Sequence, residues 1–359
     1  MINRFIKKHS KNLYIFFLFL SLILFFFSTD KVYAKSFNIK NIEVSKPFEI
    51  NFDKNKVIDE GFIKAFSELI SLITVSSDHK IIKKIKLNQI RGMIESFSIK
   101  EEKFIDEIYY VNLGVSFNKK KILNFLEKKN IFPSIPIKKN FLFIPIIIEE
   151  NKENLLVFSN NKFYDEWNND SESFYLIEYI LPTEDLEDLN LIKKQYDLIE
   201  QYDFKEITSK YYLDDSIVAL IFINQKTIRI LSRITVNDKV FLINESFSNI
   251  DINNTDQLST IIKSLKIMYE DYWKNFNQIN TSIKLPISIK VNGRDNSNVS
   301  RLENTLDEVN LIYDYFISKF DKDFIYYQII YNGTPDIFLK SMEKQNFNFN
   351  TQNKTWVLK

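Results

Sequence analysis

The apolar run from Leu13 to Phe27, interrupted only by Ser21, sets where the folded part of this chain can begin. Ahead of the run stand Arg4, Lys7, Lys8 and Lys11, with no acid among them. Behind it, after Ser28-Thr29-Asp30-Lys31, come Val32, Tyr33, Ala34 and Lys35. A basic head, an apolar middle of about 7–15 residues and a small-x-small exit are the three marks of a secretory signal. Val32 and Ala34 hold the two small-residue places, so the expected cut falls before Lys35. A membrane-spanning helix needs roughly 20 apolar residues to cross ~30 Å of hydrocarbon. The run offers 15 positions. The expectation is a cleaved signal peptide over residues 1–34 and a periplasmic body. The alternative is an inner-membrane anchor through residues 13–27. In both cases the basic head stays inside and the body is exported. No cysteine follows the run, which excludes lipoprotein processing.

The exported body has no disulfide to form, because the chain contains no cysteine. Its 325 residues must be held by core packing, and that length fits more than one domain. Residues 1–34 carry five cations and one acid, so removing them takes the net charge from +1 to −3. A slightly acidic body lacks the clustered cations that release phosphate counterions, so nucleic acid is not an expected partner. Docking on anionic lipid is disfavoured for the same reason. Triplets such as Asn280-Thr281-Ser282 arise by chance in so Asn-rich a chain and are not read as glycosylation sites.

Hydrophobic periodicity then divides the body. Phe37, Ile39, Ile42 and Val44 read as a strand. Ile58, Phe62, Ala65, Phe66, Leu69, Ile70 and Ile73 recur at helical spacing. A second helix is expected over Leu87–Phe97. Strict alternation follows at Tyr109, Val111, Leu113, Val115 and Phe117, and Asn118 caps a short helix. This first unit, residues 36–131, reads β-α-α-β-α. Pro133 and Pro136 mark a linker. Residues 138–282 read as an α/β domain. Phe141–Ile148 is an interior strand with Leu155–Phe158 as its hairpin partner. Strands at Tyr175–Leu181, Ile217–Ile223, Ile228–Val236 and Val240–Phe247 follow, the last three as an antiparallel meander. Helices are expected at Tyr164–Trp167, Glu184–Gln195, Ile199–Tyr211 and Leu258–Phe276. Residues 284–359 read β-α-β-β-α-β, the order of a ferredoxin-like sandwich, with Phe347–Leu358 returning as a strand or as a hairpin around Gln352-Asn353. Thr334-Pro335-Asp336 opens its second helix. The fold class is α+β and multi-domain.

Chemistry-bearing residues are sparse. His79 is the only histidine after the signal segment, in polar surroundings that read as solvated. Zinc sites built from His and Cys are excluded by count. Glu184, Asp185, Glu187 and Asp188 are the densest carboxylate group. They sit at a helix start, where Thr183 can cap and acids favour the dipole. A glycosidase needs two carboxylates flanking substrate, so Asp185 and Asp188 are the residues that reading would use. The five glycines are scattered, which leaves no phosphate or dinucleotide loop. No cofactor and no metal are expected. Phe324, Tyr326 and Tyr327 read as core aromatics, as do Trp167, Trp273 and Trp356.

Several short segments carry a resemblance. They are Ala65-Phe66 with Leu69-Ile70, Phe141-Leu142-Phe143-Ile144-Pro145, Glu166-Trp167, and Leu181-Pro182 before Asp185-Leu186-Glu187-Asp188. Thr208-Ser209-Lys210-Tyr211, Tyr331-Asn332-Gly333 and Trp356-Val357-Leu358 complete the set. With these the chain resembles the exported proteobacterial proteins of domain of unknown function 2066. It departs from that pattern at Thr183-Glu184 and at Tyr212, where a glycine is expected. The middle domain also resembles the α/β modules of TolB-like proteins. The resemblance implies export and envelope residence and no chemistry. The expected function is therefore a non-enzymatic envelope protein acting by contact with other envelope proteins. A small-molecule-binding module and a carboxylate-based glycan-active enzyme are the alternatives.

Overall fold

The computed structural model describes residues 37–169, 172 and 175–359, so Val32, Ala34 and Lys35 lie outside the described residues. The first sheet is built from β1 (Asn38–Pro47), β2 (Ile94–Ile105) and β3 (Ile108–Phe117). They pair antiparallel in the order β1-β3-β2. Between β1 and β2 lie α1 (Lys54–Ile73), the single turn α2 (His79–Ile82) and α3 (Leu87–Met93), and α4 (Lys119–Glu127) follows β3. Asp53 caps α1 by accepting the Asn55 N–H. The helix then lays Val57, Gly61, Ala65 and Leu69 on the sheet. A Cβ on Gly61 would stand 2.2 Å from Leu113 Cδ1, so a missing side chain sets how closely α1 approaches β3. The alternate residues Tyr109 to Phe117 face this core, as their period predicts.

One strand of this unit differs from expectation. The helix expected to reach Phe97 stops at Met93, and with the single turn α2 the unit is β-α-α-α-β-β-α. Strand β2 is nearly all exposed, and its register against β3 slips at Glu95 and at Lys100. Each slip is one extra residue, which breaks the alternation by which a strand is recognised. Pairing with β3, not local pattern, makes these residues a strand.

The second sheet contains β4 (Lys139–Glu149), β5 (Asn154–Leu156), β6 (Ile177–Ile180), β7 (Ser216–Asn224), β8 (Thr227–Val236) and β9 (Lys239–Ser248). Its order is β5-β4-β7-β8-β9, with β6 parallel to the start of β4. Strands β4 and β7 are parallel, and β7-β8-β9 is the expected antiparallel meander. Helix α8 (Thr255–Phe276) covers one face, over Phe143, Ile221 and Ile230. The other face is closed by α6 (Leu186–Lys194) and α7 (Lys205–Thr208), through Ile192 and Ile207 on Ile144 and Leu220. Cover on both faces explains why β4 is apolar from Phe141 to Ile148 and β7 from Ile217 to Ile223. Two expectations change here. The helix expected over Ile199–Tyr211 shrinks to the one turn of α7 and a following 3-10 turn. The capping residue of α6 is Asp185, not Thr183.

The third sheet comprises β10 (Leu285–Asn292), β11 (Ile312–Phe320), β12 (Phe324–Tyr331), β13 (Phe349–Asn350) and β14 (Thr355–Leu358). Helices α9 (Asn296–Glu308) and α10 (Pro335–Glu343) connect them. The order is β11-β12-β10-β14-β13. The chain reads β-α-β-β-α and then a hairpin, the second of the two expected endings, and the additional strand at the sheet edge departs from the ferredoxin-like order. The crossover through α10 delivers β13 to the sheet edge, and the hairpin returns β14 parallel to β10.

The proline segment expected to be a linker is bonded on both sides. The Ser134 N–H donates to Ile73 O at 2.7 Å, Ile135 N–H to Asn277 O at 2.9 Å, and Pro133 O accepts Ile279 N–H at 2.7 Å. Residues 37–359 form one compact unit. No helix among the described residues is long and apolar enough to cross a membrane.

Candidate functional site

The expected carboxylates fall at the start of α6, where Asp185 and Asp188 have partners within the fold. Asp185 accepts the Glu187 N–H at 2.7 Å as the α6 cap. Asp188, 1% exposed, receives Lys210 Nζ at 2.6 Å, and Lys210 also lies 3.5 Å from Asp185. One lysine thus bridges both acids, and the Asp188 side is closed to solvent. Hydrogen bonds from the Glu187 backbone and the nearby Lys210 hold the Asp185 carboxyl below its usual range. Two carboxylates drawn onto one cation do not flank a space for a sugar. Among the described residues, no three His, Cys, Asp or Glu side chains group as metal ligands.

His79 does not lie in solvent as expected. It opens α2 and lines an apolar cavity of about 220 Å³ with Phe66, Ile70, Ile82 and Ile90. Its Nε2 is buried without a hydrogen-bond partner. Burial lowers its pKa and Lys274 adds to that, while Asp271, a backbone bond with Thr74, and Asp78 oppose it.

The polar constellation that sequence reading missed runs along α8. Lys266, Glu270 and Lys274 are all buried at four-residue spacing. Glu270 accepts the N–H groups of Leu176 and Ile177, each at 2.8 Å, and so fixes the start of β6. Burial raises its pKa against the pull of those bonds and of Lys274. Lys274 donates to Ser71 O at 2.6 Å, and Asp271 accepts Ser76 N–H at 2.7 Å and its hydroxyl at 2.5 Å. Lys266 Nζ stands 5.7 Å from the Trp167 ring centre and 5.9 Å from those of Tyr175 and Tyr179. The signal was available: three charges interrupt the same helical stripe as Ile262, Tyr269 and Trp273. These groups clamp α1, β6 and α8 together, and their partners are backbone and aromatic rings of the fold.

Aromatic residues divide between core and surface. Trp167 stacks on Phe143, Trp273 packs on Phe141, and Trp356 lies against Phe338. Tyr327 is buried as expected. Phe324 and Tyr326 are not: they lie on the opposite face of β12, under Lys290 and Lys319. Alternation along the strand sends neighbours to opposite faces.

The surface offers the features most open to another molecule. In the first unit α1 lies over β1 and β3 and leaves β2 at the rim. The inward-facing residues of β2 are consequently uncovered: Phe97, Ile99 and Phe104 are exposed. Phe97 meets Phe62 of α1 edge-on at 5.0 Å, and Phe104 meets Phe48 at 4.8 Å. The result is an apolar stripe beside an open strand edge, with the Lys54–Glu102 ion pair along it and the Lys103–Glu101 pair on the other face of the strand. The opposite face of this sheet is a hollow of about 480 Å³ lined by Glu43, Glu101, Lys103, Tyr110 and Asn112 together with Ile105. No protein-family model and no curated protein matches the chain.

Proposed function

We propose that this is a non-enzymatic exported protein of the cell envelope that works by contact with other envelope proteins. The observation that carries the reading is the exposed apolar stripe Phe48–Phe104–Phe97–Ile99 along the open edge of β2. An edge strand presents unpaired backbone groups, and an added strand of a partner would take its main-chain bonds from them. Alternate side chains of that strand would rest on the stripe. The charge pattern Lys100-Glu101-Glu102-Lys103 blunts indiscriminate pairing and selects among strands. Export rests on the basic head, apolar run and Val32-x-Ala34 exit of the N-terminus.

Two measurements test this. A photo-crosslinking residue in place of Phe97 or Phe104, in intact cells, is expected to capture the same partner, and Phe104→Lys is expected to abolish its co-purification. Absence of any adduct at both positions would remove the contact reading. The intact mass of the native protein, with cell fractionation, tests export. A chain starting at Lys35 in the periplasmic fraction supports it, and a cytoplasmic chain starting at Met1 sinks it.

A further inference from the structure

Strand β9 ends the second sheet with no described residue paired to its outer side. Long strands end the sheets at four places: β1, β2, β9 and β11. Three of them are interrupted by register shifts, at Ile39/Ile42, at Ile94/Ser96 and Ile99/Glu101, and at Ile312/Asp314 and Ile317/Lys319. Such bulges limit an open edge to short stretches of regular pairing, as in Glu101–Ile105 of β2, and keep a long strand from adding along its whole length. Strand β9 has none: its ten residues pair with β8 without a break. It has no proline, and Val240 and Leu242 are 53% and 61% exposed. A long edge without a bulge or a proline, apolar over Val240–Ile243, is open to a covering strand.

The geometry points to a second copy of this chain as that strand. The β8–β9 turn is the two-residue Asn237–Asp238, with φ of 48° and 62°, and Val236 stands opposite Lys239. In such a hairpin the flanking pair is hydrogen-bonded and the pattern alternates. Phe241, Ile243 and Glu245 therefore direct their backbone groups to β8. Val240, Leu242 and Asn244 direct theirs to the open edge. An antiparallel partner must pair residues of matching parity. With a two-fold axis at Leu242, Leu242 of one copy faces Leu242 of the other and Val240 faces Asn244. On the α8 side Phe241 faces Ile243, and Lys239 faces Glu245 twice. Moving the axis to Ile243 sets Lys239 against Phe247 and Phe241 against Glu245. Moving it to Asn244 sets Ile243 against Glu245. Only the Leu242 register among these three pairs opposite charges and keeps Phe241 on an apolar neighbour. Phe241 already packs on Tyr272 of α8 at 5.2 Å, so the junction continues an existing core. The two sheets become one, joined through β9.

The chain has no cysteine, which makes one substitution decisive. Directly opposite hydrogen-bonded residues have Cα atoms about 5.5 Å apart, within the disulfide range. Leu242→Cys is expected to give a disulfide-linked dimer under mild oxidation, and Ser246→Cys, away from the axis, is not. Light scattering of the purified protein is expected to give twice the chain mass. Glu245→Lys is expected to weaken the dimer by about tenfold or more through two like-charge pairs. Adding Lys239→Glu is expected to restore it. Circular dichroism of each variant checks that the fold is kept. A monomer at every concentration overturns the proposal. So does a dimer that Glu245→Lys leaves unchanged, or one in which Ser246→Cys links as readily as Leu242→Cys. The contact reading at β2 stands on a different edge, so failure here leaves it intact.

Discussion

At Asn161 five hydrogen bonds converge on one fully buried amide. Its Nδ2 donates to Pro145 O at 2.9 Å, Leu156 O at 3.2 Å and Val157 O at 2.9 Å. Its Oδ1 accepts the N–H groups of Phe163 at 3.1 Å and Tyr164 at 3.2 Å. One side chain thus caps α5 (Lys162–Glu166) and gives a partner to a carbonyl in a strand that contains a proline. Asn161→Ala is expected to cost about 2–4 kcal/mol, because several buried groups lose their partner together. Asn161→Asp keeps the acceptor but turns a carboxylate toward the carbonyls, and is expected to cost at least as much. Urea unfolding checks both, with a lower midpoint at unchanged slope. Neither the bond from Asn161 to Pro145 nor the burial of Asp188 was legible in the sequence. The partners Pro145 and Lys210 lie 16 and 22 residues away on other elements. The caps Asn118 and Thr334 were legible because a cap bonds to an N–H three residues on. Tyr212, where a glycine is expected, has φ of 53° and is almost fully exposed.

Among the elements, those with one buried face could be read and those without could not. Alternation marked β3, and a 3.6-residue stripe marked α1 and α8. Strand β2 buries almost nothing and carries two extra residues, so no periodic signal survives in it. The polar stretch at His79 shows the opposite case: a sequence that looks solvated is drawn over a cavity by the turn α2. The pKa of His79 is depressed, so the stability it confers is present above its ordinary 6.5 and is lost as pH falls through the lowered value. Asp78 and Glu270, both raised, act the other way. Their contribution is present below 3.8 and 4.5 respectively, and is lost as pH rises through their folded values. The melting temperature of the native protein is expected to fall more between pH 7.5 and 5.5 than that of His79→Leu. Identical pH profiles would show that His79 carries no linkage.

For the whole molecule, the seam between α4 and the third sheet decides how the first and last units meet. Lys120 pairs with Asp314 at 2.5 Å, Lys284 with Glu127 at 3.0 Å, and the Tyr313 hydroxyl donates to Asn124. Within it Lys119 donates to Val309 O at 3.1 Å, and burial pulls its pKa from 10.5 to about 8, weakly opposed by Asp307. A base depressed in this way adds stability above 10.5 that is lost as pH falls through about 8. At pH 7 the seam therefore holds a desolvated ammonium. Lys119→Met is expected to raise stability by about 1–3 kcal/mol at pH 7, an order-of-magnitude figure from the shift. The gain is expected to shrink as pH rises from 8 toward 10.5. Chemical unfolding at pH 7 and at pH 10 measures both. A gain equal at the two pH values would place the cost in packing instead of charge.

The sequence by itself determined the α+β class, the meander, most helices packed on the three sheets and the caps Asn118 and Thr334. These follow from periodicity and from bonds within one turn, which are properties of neighbouring residues. The tertiary structure alone decided the strand β2, the parallel pairing of β14 with β10, the bonded proline segment and the polar clamp on α8. It also decided which edges stay open and which of them are bulged. Each depends on residues far apart in the chain meeting in space. A strand without a buried face, or a charge neutralised by a distant backbone, has no cause within its own segment.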